Sequence, residues 1–138
     1  MYKALEVAKY VINKGIEKNT PISNLQLQKI LYYMQEYNLK NYNTPLFEDN
    51  FEAWQFGPVI ATVYHEYSSN GGSKIDRMQN IESKIEVPEN MDIMIEEKMK
   101  LNPWDLVNDT HSKDKPWYYV YNNRGNKATI SKELIKEL

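Results

Sequence analysis

The sequence predicts a mainly α-helical protein, folded as a single compact domain with at most a small β element. Apolar residues recur at steps of three and four through the N-terminal segments, which is the periodicity of helices with one buried face. Helix-start signals, in which proline or a capping side chain precedes an apolar run, return in the last third. A chain of 138 residues suits one core. With neither a repeat nor a linker to divide it, we expect one domain spanning residues 1–138.

The N-terminal part predicts two amphipathic helices. Residues 2–18 carry the first, with an apolar stripe at Leu5, Ala8, Ile12 and Ile16. The second begins where Ser23 stands three residues before Gln26, so that each side chain can satisfy the other's backbone amide. Ser23 should therefore be the N-cap, and Ile22 and Leu27 occupy the two positions of a hydrophobic staple. The buried face should then consist of Leu27, Ile30, Leu31, Met34 and Tyr37.

The octapeptide EAWQFGPV, residues 52–59, places two large rings next to a Gly-Pro pair. Residues 51–56 should run extended, and Gly57 can adopt backbone angles that other residues avoid. Pro58 is suited to the first turn of a helix, so we expect a helix to begin there. Burying a large ring is worth roughly 1.5–3 kcal/mol, so Trp54 or Phe56 should belong to the core. We expect Trp54 to pack across the two long helices.

The middle and the C-terminal third predict a loop followed by short elements. Two glycines break the pattern after Tyr67, and the charged stretch 75–88 should be the most mobile part of the chain, with a little strand. A helix starting at Pro88 should bury methionines and Ile95, and Asn102-Pro103 should cap the next helix. Pro116-Trp117 opens an aromatic run, residues 128–130 should be a strand, and a last short helix should begin at Ser131.

Composition excludes several classes of function. Seventeen basic and nineteen acidic residues give a net charge of −2, which offers no basic surface for nucleic acid or anionic membranes. There is no cysteine for a disulfide or thiolate metal site, and no apolar run long enough to span a membrane. We therefore expect a cytoplasmic protein that binds another protein or a small molecule, with no nucleic acid and no membrane among its partners.

Candidate catalytic residues are few. The chain has two histidines and none of the motifs typical of zinc proteases, phosphate-binding loops or serine hydrolases. We expect no enzymatic activity, no cofactor and no stoichiometric metal. The alternative is a nonstandard metal or acid–base site built from His65, Glu66, His111, Asp109 and Asp114, as in a metal-dependent hydrolase.

The aromatic residues favour a binding function without proving it. Eleven tyrosines stand against three phenylalanines, so most rings carry a hydroxyl that needs water or a partner. Tyrosine, tryptophan and methionine are enriched in protein interfaces. A tyrosine-rich core is the other interpretation of the same composition.

The order of motifs resembles a known family, the Panacea domain, also called the SocA-like antitoxin or GepA-like phage-associated domain. The similarity runs over nearly the whole chain, through SNLQLQKILYYMQ, PLFEDNFEAWQFGPV, VYHEY, DTHSKDKPW and TISKELI. By position, the family pattern falls on Leu27, Gln28, Lys29, Leu31, Tyr32, Tyr33, Gln35, Glu52, Ala53, Trp54, Gly57, Pro58, Val63, Tyr64, Tyr67, Thr110, His111, Pro116 and Trp117. The stretch before Thr110 is shorter than is usual in the family, and the chain stops soon after Ile135. These departures put the C-terminal helices in question.

The resemblance implies a helical antitoxin of a toxin–antitoxin system that neutralises a toxin by binding it. Some members are adaptors that deliver a toxin to an AAA+ protease, and the family occurs in prophages and mobile elements. An interaction protein of a phage or mobile element, aimed at a host or defence factor, is the second hypothesis. The toxin's identity and the oligomeric state do not follow from the sequence.

The resemblance, together with the aromatic inventory, predicts a partner-binding set. We expect Tyr64 and His65 to lie near His111 and Trp117, and Tyr64, His65, Tyr118 and Tyr119 to be the first rings to contact a partner. The full set is Trp54, Gly57, Pro58, Tyr64, His65, His111, Trp117, Tyr118 and Tyr119. Whether these residues touch the partner or only maintain the fold is left open by the sequence.

Overall fold

Seven α-helices and a three-stranded sheet make up the protein in a computed structural model that describes residues 1–138. The predicted mainly α fold class is therefore confirmed. The helices are α1 (Ala4–Glu17), α2 (Asn24–Tyr42), α3 (Ala61–Glu66), α4 (Glu89–Met99), α5 (Pro103–Thr110), α6 (Pro116–Arg124) and α7 (Lys132–Glu137), with a 3₁₀ turn at Ser68–Asn70. The strands are β1 (Phe51–Trp54), β2 (Gly57–Val59) and β3 (Ala128–Ile130). None of the helices is both long and apolar enough to cross a membrane.

Helix α2 is the central element, and most of its surface is buried. It packs against α1, α4, α5, α7 and β2. The predicted capping box is confirmed, because the Ser23 side chain accepts from the Gln26 amide while Gln26 Oε1 accepts from the Ser23 amide. The predicted apolar face is fully buried at Leu27, Ile30, Leu31 and Met34. Polar side chains on the other faces are buried too, namely Gln28, Lys29 and Gln35.

Helix α1 buries a face that is slightly rotated from the predicted one. Ala8 and Ile12 are fully buried as expected, but Leu5 and Ile16 are only partly covered. Val7 and Val11 take their places in the core. Apolar residues at steps of three and four are compatible with two neighbouring faces of the same helix. The elements that pack against the helix decide which of the two faces is buried.

The octapeptide forms a hairpin rather than the start of a helix. Strands β1 and β2 pair antiparallel, with Trp54 opposite Gly57 across a two-residue turn, and β3 pairs with the other edge of β1. The predicted helix start at Pro58 is wrong, since Pro58 lies in β2 and α3 begins at Ala61. The fixed φ of proline suits an edge strand as well as a first helical turn, and Pro58 sits at the sheet edge, where its missing N–H leaves no ladder bond unmade.

A segment of residues 71–88, here called the strap, crosses α1 and is tied by hydrogen bonds to α1 and to the connection between α1 and α2. The Ile75 amide donates to the Ile22 carbonyl at 2.7 Å. Asn13 and Gln79 exchange two hydrogen bonds of 3.0 and 2.7 Å. Residues 75–88 were expected to be the most mobile part of the chain, but these contacts anchor them. The composition of the strap could not predict this anchoring, because the anchoring side chains belong largely to α1.

Glu6 provides the strap's strongest anchor. Its Oε1 accepts from the backbone amides of Glu82 at 2.9 Å and Ser83 at 2.8 Å, and its Oε2 pairs with Lys9 at 3.2 Å. The Ser83 N–H, helped by Lys9, holds the pKa of Glu6 below its usual value although burial opposes this. A carboxylate shared by backbone donors makes stronger hydrogen bonds than a neutral acceptor would.

Replacing Glu6 with glutamine should weaken the fold in a pH-dependent way. At pH 7 we expect the free energy of unfolding to fall by about 1–2 kcal/mol, because the amide accepts weaker bonds. Since the folded-state pKa is depressed, the carboxylate's contribution is present above the unfolded pKa and is lost as pH falls through the folded pKa. Urea unfolding at neutral and acid pH measures both effects. Glu86→Gln, in an exposed ion pair with Lys84, is the control and should change little.

The C-terminal helices complete the core. Met91 and Ile95 of α4 are fully buried, as predicted, and Asn102 caps α5 by accepting from the Trp104 amide at 2.9 Å. The predicted start of α7 is confirmed, with Ser131 Oγ accepting from the Leu134 amide at 3.1 Å. The departures from the family pattern therefore leave these helices intact.

Candidate protein-binding site

The hairpin turn is held from behind by three side chains. The indole N–H of Trp117 donates to the Trp54 carbonyl at 2.7 Å. The Lys29 ammonium nitrogen donates to the Pro58 carbonyl at 3.3 Å. Gln28 Oε1 accepts from the Ile60 amide at 2.9 Å. Backbone groups of residues 54–60 that would otherwise be unpaired are thereby satisfied, and the hairpin is fixed relative to α2 and α6.

Gly57 allows the hairpin to lie directly on Lys29. Its φ is +118°, a conformation that side-chain-bearing residues rarely adopt. A Cβ at this position would lie 2.8 Å from both Cε and Nζ of Lys29 and 3.0 Å from Oγ1 of Thr110. The expectation that Gly57 uses angles special to glycine is confirmed.

Lys29 is a fully buried lysine without a carboxylate partner. Its relative exposure is 0 %, and its ammonium nitrogen has one hydrogen bond, to the Pro58 carbonyl. Burial lowers the pKa of Lys29 to about 7, because transfer from water disfavours the charged form. The side chain thus costs the fold stability when protonated, while supporting the hairpin.

Stability should consequently rise with pH on the alkaline side of neutrality. The folded-state pKa of about 7 lies below the value near 10.4 of an unfolded chain, so the unfolded state binds more protons between them. The loss of stability caused by the buried ammonium group is complete well below the folded-state pKa, and it is relieved as pH rises above that pKa. We expect the free energy of unfolding to increase by on the order of 1 kcal/mol per pH unit from about pH 7.5 to 9.5, and Lys29→Met to remove that increase.

The upper limit of this pH window is set by buried tyrosines. Burial raises the pKa of Tyr67 to about 12 and raises those of Tyr32 and Tyr33 further. Unfolded tyrosines ionise near pH 10, so stability should fall again above that value. Chemical unfolding across the range tests the prediction, with the exposed Lys113→Met as control. A flat wild-type profile between about pH 7.5 and 9.5 would contradict it.

His111 and Trp117 form a flat stack beside the hairpin. Their ring centroids are 3.6 Å apart with an interplanar angle of 2°. The Tyr121 ring also stacks with the Trp117 indole, at a centroid distance of 4.7 Å. Burial, and next the charge of Lys29, lower the pKa of His111, although the Phe56 backbone opposes this. His111 Nε2 is buried without a hydrogen-bond partner. The imidazole packs face to face on the Trp117 indole.

Neither ring of the octapeptide belongs to the core. Trp54 is only partly buried, with its ring 5.0 Å from Tyr64 and 6.3 Å from His65. Phe56, at the tip of the turn, is 45 % exposed. The prediction that Trp54 packs across the long helices is wrong. The burial argument counts ring area alone, whereas the hairpin leaves Phe56 exposed in its turn and Trp54 half-buried at the end of β1.

The nine predicted partner-binding residues divide into buried and accessible groups. Gly57, Pro58 and Trp117 are buried, so they support the surface from within and cannot offer a partner much contact area. Trp54, Tyr64 and His65 form one aromatic cluster, and the Trp117 hydrogen bond to Trp54 joins it to the His111 stack. On α6, Tyr118 packs partly on the core, whereas Tyr119 is 50 % exposed. Partner contact by the accessible members remains a prediction.

A surface groove, here called the hairpin groove, lies between the hairpin, α2, α3 and α5. It consists of two adjoining cavities of about 440 and 290 Å³. Both are lined by Leu25, Phe56, Val59 and Tyr64, and Trp104 lines the larger one. Phe56 and Trp104 meet edge to face at 5.5 Å. The sequence analysis missed Trp104 because no local pattern connects the first turn of α5 with a hairpin tip far away in the chain.

The alternative metal or acid–base site does not assemble. No group of three or more histidine, aspartate or glutamate residues is placed so that it could hold a metal ion. Asp109 accepts a hydrogen bond from the Tyr33 hydroxyl, and Asp114 accepts one from Ser112 at 2.7 Å. His65 lies against Trp54, and His111 stacks on Trp117. The absence of enzymatic activity remains a prediction.

The fold and the groove define a small, mainly α domain that carries an aromatic surface hairpin. Comparison with known proteins identifies the family of this domain: the family described as "Antitoxin SocA-like, Panacea domain" matches residues 27–118. The chain is 33% identical over 135 residues to "Antitoxin SocA" of Caulobacter vibrioides (strain NA1000 / CB15N), covering 88% of this chain and 72% of that protein. No solved structure matches. The chain belongs to the family of SocA-like antitoxins with a Panacea domain, and the resemblance inferred from its motifs is confirmed.

Proposed function

We propose that this protein is an antitoxin that neutralises a protein toxin by binding it directly. The observation that carries the proposal is the 33% identity to Antitoxin SocA across 88% of this chain. The hairpin supports it, because the family motifs supply a buried frame while rings between them face solvent. Aromatic side chains on a fixed backbone are typical of interface hot spots, since they bury much area with little loss of conformational freedom.

Co-expression with the product of the adjacent gene tests the proposal. If that product arrests growth, this protein should restore growth and co-purify with it as a defined complex. A toxic neighbour that is neither rescued nor bound would contradict the proposal. A neighbour without toxicity would instead favour the second hypothesis, an interaction protein acting on a host or defence factor.

Blocking of the toxin and delivery of the toxin to an AAA+ protease are two outcomes of the same binding step. They differ in the lifetime of the toxin. If the complex blocks the toxin, the toxin's half-life should be unchanged or longer when this protein is present. If it acts as an adaptor, the half-life should shorten in cells with the protease and recover in cells without it.

A further inference from the structure

We propose that the hairpin groove is the toxin-binding surface, and that it takes an apolar segment of the toxin carrying a carboxylate beside its apolar side chains. This inference rests on the proposed antitoxin function. It is carried by three features of the groove: two exposed rings at its mouth, a rigid base, and a single unpaired positive charge.

The mouth of the groove exposes two large rings that contact each other. Phe56 is 45 % exposed and Trp104 is 55 % exposed, and they meet edge to face. Each ring leaves apolar area in water that a partner could cover. Clustered exposed rings beside a concavity mark interaction sites, whereas single exposed rings do not need an explanation. Leu25 and Val59 extend the apolar lining into both cavities.

The base of the groove is fixed by a hydrogen-bonded chain from α2 to α3. Gln28 donates to Asn24 at 3.1 Å, and Asn24 donates to the Tyr64 carbonyl at 3.0 Å. Gln28 also accepts from the Ile60 amide, so the end of β2 and the start of α3 are held together. A surface that is already ordered loses little conformational entropy on binding.

The outer edge of β2 is not free to add a strand from the partner. The Pro58 carbonyl accepts from Lys29, and the Ile60 amide donates to Gln28. Since β-augmentation needs unpaired backbone groups at the sheet edge, recognition here falls to side chains entering the groove.

The charge of the groove indicates that the bound toxin segment carries a carboxylate. Lys127 is the only formally charged residue lining either cavity, and no carboxylate lines them. Its ammonium nitrogen lies 5.0 Å from the Trp54 ring centroid and forms no salt bridge. Glu52 instead accepts from the Trp54 indole N–H at 2.9 Å. A local positive charge on a protein of net charge −2 selects a segment with a carboxylate at that end of the groove.

Affinity measurements with the purified toxin test both parts of the proposal. Phe56→Ser and Trp104→Ser should each weaken binding by at least about tenfold, as expected for central interface rings. Lys127→Glu should weaken it by about tenfold and Lys127→Gln by less, and neither Lys127 variant should show the steep loss of affinity with salt that we expect of the wild type. Tyr42→Ser and Lys136→Glu, exposed positions that do not line the groove, are the matched controls and should stay within about twofold.

The outcomes separate this inference from the proposed function. If the wild type rescues growth and binds the toxin while both serine variants bind as tightly, the groove is not the binding surface. If the serine variants lose binding but Lys127→Glu does not, the carboxylate-bearing occupant is wrong. If the wild type itself neither binds nor rescues, the proposed function fails. Thermal unfolding of each variant should match the wild type, because the substituted side chains are exposed.

Discussion

Replacing Gly57 with valine should destabilise the fold by about 2–6 kcal/mol. Two separate costs contribute. A β-branched residue at φ +118° is strained by roughly 1–3 kcal/mol, and overpacking a filled site costs typically 1–3 kcal/mol more. The tip of Lys29 is flexible in principle, but here it is buried and bonded to Pro58. Moving it would break the contact that holds the hairpin.

Three alanine substitutions separate the two costs. Gly125 has a φ of +94° and open space around it, so Gly125→Ala measures backbone strain alone. Gly72 has open space and no positive φ, so Gly72→Ala should change stability by less than about 0.5 kcal/mol. Gly57→Ala carries both costs and should exceed Gly125→Ala by at least about 1 kcal/mol.

Urea unfolding curves give the free energies for all four variants. If Gly57→Ala and Gly125→Ala cost the same, the packing against Lys29 and Thr110 is unimportant. If Gly57→Val leaves the unfolding midpoint unchanged, the hairpin does not need glycine at all. Adding Lys29→Met to Gly57→Ala should return part of the loss, because methionine has no ammonium group to be displaced or desolvated.

Local signals predicted the starts of α2, α5 and α7 correctly, because the atoms that decide them are close in sequence. The capping box at Ser23 and Gln26, and the caps Asn102 and Ser131, each form between residues within three positions of each other. The strand at residues 128–130 was also predicted correctly. Such features need only short-range geometry, so composition and spacing describe them adequately.

The site was harder to predict because its parts come together over long distances in the chain. Pro58 is compatible with a helix start and with an edge strand, and the choice depends on pairing with Ala53 and on Lys29 beneath it. Lys29 sits in a helix whose pattern gives no sign that a lysine would be enclosed. The meeting of Phe56 with Trp104 is likewise a consequence of tertiary packing alone.

Trp117→Ala should be the second large loss, lowering the free energy of unfolding by about 3–5 kcal/mol. The indole is 6 % exposed and stacks with the rings of His111 and Tyr121. Its N–H also donates to the Trp54 carbonyl at 2.7 Å. Removing it leaves a cavity and frees one end of the hairpin turn, so toxin binding should fall together with stability.

Trp117→Phe separates the hydrogen bond from the packing. Phenylalanine keeps much of the ring area but cannot donate, so we expect a smaller loss of about 1–3 kcal/mol from the unpaired carbonyl. Trp104→Ser is the matched comparison, because that indole is 55 % exposed; it should lose toxin binding with a stability change below about 1 kcal/mol. Calorimetric unfolding and toxin affinity, measured on the same preparations, show for each variant whether stability, toxin binding or both are lost. If Trp117→Ala remained as stable as the wild type, the hairpin would not depend on the indole, and if Trp104→Ser unfolded the protein, the exposed rings would be part of the core rather than the contact surface.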